Sequence, residues 1–287
     1  MRPIYISSNA FPVKTIDAIL KECATRGIDW LELGSGVAYD HDARKKIIRA
    51  RKKINILLHN YFPAPAKSFV LNLASPDKII QKQSRSLVRT ALEISHEIEA
   101  PVYAVHSGFC YHAEAGLLGK KQTHLKHFSM RLASEIFLEA IQNLAKDARR
   151  LGVTLLIENN VLPAFNLVNS KNKSYLVVNI QDSLRTMKQV SNWGVGLLLD
   201  TGHLNVSATA LRFSRIDYLE ALRHYIKAFQ VSDNDGTSDE HKPLKRDSWS
   251  FKALQTFPEG LPITLEVNNY LPQVIRNREQ LINLPSL

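Results

Sequence analysis

The chain has 287 residues, 45% hydrophobic and 22% charged, which is globular composition on a length that can bury a large core. No apolar run reaches the roughly eighteen residues of a helical membrane span, which excludes one. The net charge of +10 fits a soluble basic surface or an anionic ligand, such as a phosphorylated or nucleotide-linked sugar or a nucleic acid.

The opening "MRPIYISSNAF" lacks the apolar stretch of a signal peptide. Two cysteines, Cys23 and Cys110, make neither a disulfide framework nor a Cys-x-x-Cys pair. Both are expected to be reduced thiols in a cytoplasmic protein.

Taken in order, short apolar runs alternate with helical patterns. "IYISS" (Ile4–Ser8) reads as a strand, and Ile16, Ile19, Leu20 and Cys23 then recur at helical spacing up to Gly27. "DWLEL" (Asp29–Leu33) precedes "ARKKIIRARKK" (Ala43–Lys53), a helix with an apolar side and a solvated cationic face, expected to lie far from any site. "INILLH" (Ile54–His59) leads to a helix over Asp77–Glu99, opened by "SPD". "VYAVH" (Val102–His106) leads to a helix over Phe128–Leu151 that stops at Gly152. "VTLLIE" (Val153–Glu158), "VGLLLD" (Val195–Asp200), "IKAFQ" (Ile226–Gln230) and "ITLEV" (Ile263–Val267) complete the strands. Helices are expected near Asp182–Val190, Ser214–Tyr225 and Ser248–Phe257, with a last one from Pro272.

That makes eight βα units. Their strands are apolar throughout, as in a parallel sheet covered on both faces. The expectation is an α/β fold, a (β/α)8 TIM barrel forming a single domain over 1–287 with its site at the C-terminal ends of the strands. A doubly wound open sheet is weakened because no Gly-x-Gly-x-x-Gly turn follows any strand. Two long inserts, Phe109–His127 and Val161–Asn179, follow strands on the expected working face.

Polar endings recur. Glu32, His59, His106, Glu158, Asp200, Gln230 and Glu266 stand at or near strand ends, which a barrel gathers at one mouth. Several carboxylates buried together cost several kcal/mol each (roughly) unless a cation joins them. Carboxylate, imidazole and amide oxygen suit Mn, Zn, Mg or Co. His203 lies one turn past Asp200, and "DEH" adds Asp239 and His241. Asp233 and Asp235 read as turn formers beside Gly236. His112, His124 and His127 read as insert residues, and Lys120, Lys121, Lys242 and Lys245 as solvated loop charges that could meet a phosphate.

The motifs "LLHNYFPAP", "AVHSGF", "LLIENN", "LLLDTGHLN", "VSDNDGTSDEH" and "LEVNN" follow one another as in the xylose isomerase-like barrel superfamily. The chain resembles that superfamily over nearly its whole length. The superfamily includes sugar isomerases, sugar epimerases and endonuclease IV. In the isomerases and epimerases a glutamate, an aspartate, a histidine and a second glutamate hold the metal. The resemblance puts these at Glu158, Asp200, Gln230 and Glu266. Gln230 departs from the commonest pattern, though glutamine also occurs in the hydroxypyruvate isomerase branch, which keeps a metal.

The resemblance implies a metal-dependent isomerase or epimerase of a sugar, sugar phosphate or sugar derivative. The cation would stabilise an enediolate, while Glu158 and Glu266 move the proton. His203 would bind substrate, with Glu32 and Lys242 as further substrate contacts. A homo-oligomer is possible, and no membrane partner is expected. An endonuclease IV-like enzyme, acting on abasic nucleic acid with three zinc ions, is the alternative. It would use His59, His106, Asp200, His203, Asp239 and His241. "FVLNLASP" fits it as well, while Gln230 and "DEH" in place of "DRH" weigh against it. Gln230 also motivates a third reading, a catalytically weak sugar-binding barrel.

Overall fold

The computed structural model describes residues 2–113, 119–122 and 125–284; His124 lies outside them. The apolar runs form parallel strands that close into a barrel in sequence order. They are β1 (Ile4–Ser7), β2 (Trp30–Leu33), β3 (Asn55–His59), β4 (Val102–His106), β5 (Thr154–Glu158), β6 (Gly196–Asp200), β7 (Ile226–Val231) and β8 (Ile263–Leu265). Around them lie α1 (Ile16–Arg26), α2 (Ala43–Ala50), α3 (Lys78–Glu97), α4 (Met130–Leu151), α5 (Ile180–Val190), α6 (Thr201–Leu211), α7 (Arg215–Leu222), α8 (Trp249–Gln255) and α9 (Leu271–Ile282). The fold is a (β/α)8 barrel. Among the described residues, no helix is long and apolar enough to cross a membrane.

Local chemistry sets the helix ends. Asp77 accepts from the amides of Ile79 and Ile80 at the start of α3, and Ser129 accepts from Leu132 at the start of α4. Gly152, at φ 70°, ends α4 in the left-handed conformation. One side of each long helix packs on the strands: Val88, Ala91 and Leu92 of α3 and Phe137, Ile141 and Leu144 of α4 are buried in the central core.

The strand register fixes what reaches the mouth. Partners run Leu31–Ile56, Leu58–Tyr103, Val105–Ile157, Ile157–Leu197, Leu199–Phe229, Phe229–Ile263, Leu265–Ile6 and Ile6–Leu31. One circuit therefore steps up two residues on each of β3, β4, β6 and β8. That stagger of eight is the shear of this barrel class. Side chains alternate along a strand, so Glu32, His59, His106, Glu158, Asp200 and Gln230 all turn inward on a rising spiral. His106 pairs directly with Glu158, and Asp200 with Gln230.

Two features differ from the expected elements. Helix α6 follows β6 with no loop between them. Strand β8 stops at Leu265, so Glu266 lies just beyond it, its amide donating to Val231 O. Two cations of α2 are matched, Arg44 with Glu97 and Glu93 and Lys46 with Asp17 and Asp40; just past its end, Arg51 pairs with Glu99.

Candidate functional site

The aspartate that ends β6 has two tasks. Asp200 Oδ1 accepts from the His203 amide at 2.6 Å and so caps α6, while Oδ2 is buried with no hydrogen-bond partner. Gly202 permits the abrupt start: a Cβ there would lie 2.5 Å from Ser232 Oγ. Asn159 clamps the same spot, accepting from Asp200 N at 2.8 Å and donating to Asp200 O at 3.0 Å.

Glu158 is fully buried beneath three imidazoles. His59 Nε2 lies 2.8 Å and His106 Nε2 3.5 Å from its Oε2, and His203 Nδ1 lies 3.0 Å from its Oε1. Burial pushes the carboxyl up, but His106 and His59 outweigh it and hold Glu158 well below the usual range. It is a carboxylate at neutral pH. His106 is moved the other way: burial holds its imidazole below the ordinary value.

His203 Nδ1 lies 2.9 Å from Asn159 O, and His241 Nδ1 lies 3.2 Å from Glu266 O. Each ring thus donates Nδ1–H to a backbone carbonyl. The Nε2 atoms both face Asp239 Oδ2, at 3.1 Å and 2.9 Å. This is the arrangement in which imidazoles present a lone pair to a metal, with the second nitrogen anchored. Without a metal the charges adapt. Burial opposes charge on both rings, but Asp200 and Asp239 lift His203 well above its ordinary value, and Glu266 and Asp239 lift His241 to about 10. Burial lifts Asp200 to about 7.

Three groups could hold a divalent cation: His59, His106 and Glu158; Glu158, Asp200 and His203; and His203, Asp239 and His241. Within each group, one donor atom per residue lies within 4.8 Å of the others. Glu158 Oε1, Asp200 Oδ2, Gln230 Oε1 and Asp239 Oδ1 are buried oxygens that accept no hydrogen bond. Each such atom costs about 1–3 kcal/mol, and a cation bound there would remove the cost. The residues present therefore fit a divalent ion.

Most sequence-expected residues converge here. Glu266 sits beside the site, where Asn9 Nδ2 donates to its Oε1 at 3.2 Å. Glu32 is buried, accepting from Gln230 Nε2 and Thr264 Oγ1. Lys242 pairs with Glu240 at 2.5 Å, and Lys120, Lys121 and Lys245 are exposed. The inserts meet in their own cluster: Tyr111, Tyr175 and Leu162 pack together, Tyr111 donates to Tyr175, and His127 bonds Ser174. His127 thus joins the two inserts, and His112 is exposed. Sequence reasoning missed Asn9, Asn159 and Thr264. "LLIENN" contains Asn159, but an asparagine after a strand carries no signal of its partner.

A closed parallel barrel with carboxylates, imidazoles and an amide around its mouth defines the class of protein. The chain belongs to the xylose isomerase-like TIM barrel family, whose model matches residues 20–283. An uncharacterized protein of Methanocaldococcus jannaschii, MJ1311, is 22% identical over 253 residues, 86% of this chain and 75% of that protein. A D-tagatose 3-epimerase-like protein superposes with a TM-score of 0.73 at 17% identity, covering 99% of this chain and 97% of its own. An AP endonuclease of family 2 from Brucella melitensis has a TM-score of 0.66 at 18% identity, covering 93% of each chain.

Proposed function

We propose that the chain, read as a single domain over 1–287, is a divalent-cation-dependent isomerase or epimerase of a hydroxy-carbonyl sugar, sugar phosphate or sugar derivative. The cation would be held by Glu158, Asp200, Gln230 and Glu266. The observation that carries this reading is the set of buried, donor-less oxygens on three adjacent strands: Glu158 Oε1, Asp200 Oδ2 and Gln230 Oε1. Oxygen donors of this kind suit a hard or borderline divalent ion. When bound, the ion supplies Lewis-acid polarisation of a carbonyl oxygen and its neighbouring hydroxyl.

The chain's own residues supply the proton transfer. Glu158, kept ionised by His106 and His59, can accept a proton from the carbon beside the carbonyl. Glu266, reached across β6 and β7 and oriented by Asn9, can return one from the other side. His203 Nε2 stands beside Asp239, where a substrate oxygen can take over the hydrogen bond. The exposed Lys120 and Lys121 on the first insert suit a phosphate.

The test is deuterium incorporation from heavy water beside the carbonyl, followed by NMR over a panel of ketoses and ketose phosphates. Exchange is expected with an added divalent cation. It should fall by about 10²–10⁴-fold in E158Q and in E266Q. No exchange across the panel overturns the reading.

A second reading is an abasic-site endonuclease, favoured by one feature: His203, Asp239 and His241 form another cation-ready group beside the first. It requires several bound zinc ions and nicking of abasic duplex DNA that is lost on chelation. Binding should also weaken steeply with salt. One bound ion and no nicking exclude it.

A further inference from the structure

An amide side chain has two ends of nearly equal shape, and only its oxygen can bind a cation. Something must decide which end of Gln230 faces the arc formed by Glu158 and Asp200. Gln230 is fully buried, so water does not decide it. Its Nε2 lies 2.8 Å from Glu32 Oε1, which reaches across the barrel interior from β2. Thr264 Oγ1 donates to the other carboxylate oxygen at 2.9 Å and fixes the Glu32 side chain. Glu32 is 4% exposed and cannot turn away to solvent. His59 Nδ1 lies 3.2 Å from the same Gln230 nitrogen. The Glu32 carboxylate therefore holds the nitrogen end, and the oxygen end is left buried with no donor.

We infer that Glu32 is a positioning residue that turns the amide of Gln230 so that its oxygen, not its nitrogen, faces the cation-binding arc. The reverse orientation would set Gln230 Oε1 against the Glu32 carboxylate, oxygen to oxygen. The inference rests on the proposed cation site. It replaces the substrate contact expected for Glu32, because both carboxylate oxygens are engaged from inside the barrel. Thr264 shares the task one step further out.

The experiment titrates cobalt(II) alone into cation-free protein by calorimetry, with the visible absorption of bound cobalt as a second readout. It compares wild type, E32Q, E32L and D200N, the last identifying the relevant site by its loss. E32L should weaken cobalt binding at that site by about 10–100-fold, the usual effect of removing a partner that orients a ligand. E32Q keeps a carbonyl acceptor and should weaken it less. Cation-free E32L should still unfold cooperatively but at a lower temperature than wild type, since the Gln230 amide and the Thr264 hydroxyl lose their buried acceptor; the fall in affinity is therefore the readout that decides. A purely structural role would also lower that temperature but leave affinity unchanged. Wild-type affinity in E32L overturns the inference and leaves the cation site standing. Wild type that binds no cobalt overturns both. If E32L does not fold, E32Q decides, and unchanged affinity there overturns the inference.

Discussion

Asp200 does two things that conflict. One oxygen caps α6 and the other is buried without a donor, so in the cation-free protein burial drives the carboxyl to about 7. An asparagine keeps the capping oxygen but carries no charge to desolvate. Cation-free D200N should therefore melt several degrees above wild type at about pH 8. The rise in melting temperature on adding manganese(II) should disappear. Differential scanning calorimetry with and without the cation reads both, and a D200N protein that still gains stability from manganese excludes Asp200 as a ligand. At this scale the sequence is informative where a polar residue ends an apolar run: His59, His106, Glu158, Asp200 and Gln230 are all legible. Asn9, Asn159 and Thr264 are not, because each acts by meeting a residue from another strand. Glu32 was legible as a site residue but not in its role, which depends on a contact 198 positions away.

Among the elements, the strands are read easily because burial on both faces makes them continuous apolar runs. Helix α6 is the opposite case. Thr201, Gly202, His203, Leu204, Val206, Ser207 and Ala208 are all buried, so "TGHLNVSATAL" has no polar face from which to read a helical period. Helix α6 presses on the segment after β7 at Gly202, where an added Cβ would lie 2.5 Å from Ser232 Oγ and 3.2 Å from Asn234 Nδ2. G202A should push the helix start outward and carry Asp200 and His203 with it. The expected cost is about 1–3 kcal/mol in urea unfolding, the usual range for overpacking. Cation affinity should fall with it. A variant with the wild-type midpoint and affinity would show that the contact relaxes without moving the site.

For the whole molecule, the mouth concentrates charge that an otherwise apolar barrel must tolerate, and this sets how stability responds to pH. Asp200 and Glu32 are raised by burial from 3.8 and 4.5 to about 7, so the folded chain keeps protons that the unfolded chain has released. The stability they contribute is lost as pH rises toward 7. His203 and His241 are raised above 6.5, His241 to about 10, so their contribution is full below 6.5 and is lost as pH rises through those higher values. Glu158 and Asp239 are depressed below 4.5 and 3.8; their contribution is present above those values and is lost only in stronger acid. Between about pH 5 and pH 9 Asp200, Glu32, His203 and His241 all lose stabilisation as pH rises; His106, held below 6.5 by burial, works the other way near that value and is outnumbered. In a chelator, the melting temperature should fall steadily across that window. A divalent cation should reverse the trend, because it competes with the same protons and binds the deprotonated ligands. The stabilisation it gives should therefore grow with pH. Scanning calorimetry in EDTA and in manganese(II) at matched ionic strength tests this. A melting temperature that rises with pH in EDTA would mean that the mouth's carboxylates are solvated rather than buried, which would remove the electrostatic reason for a cation there.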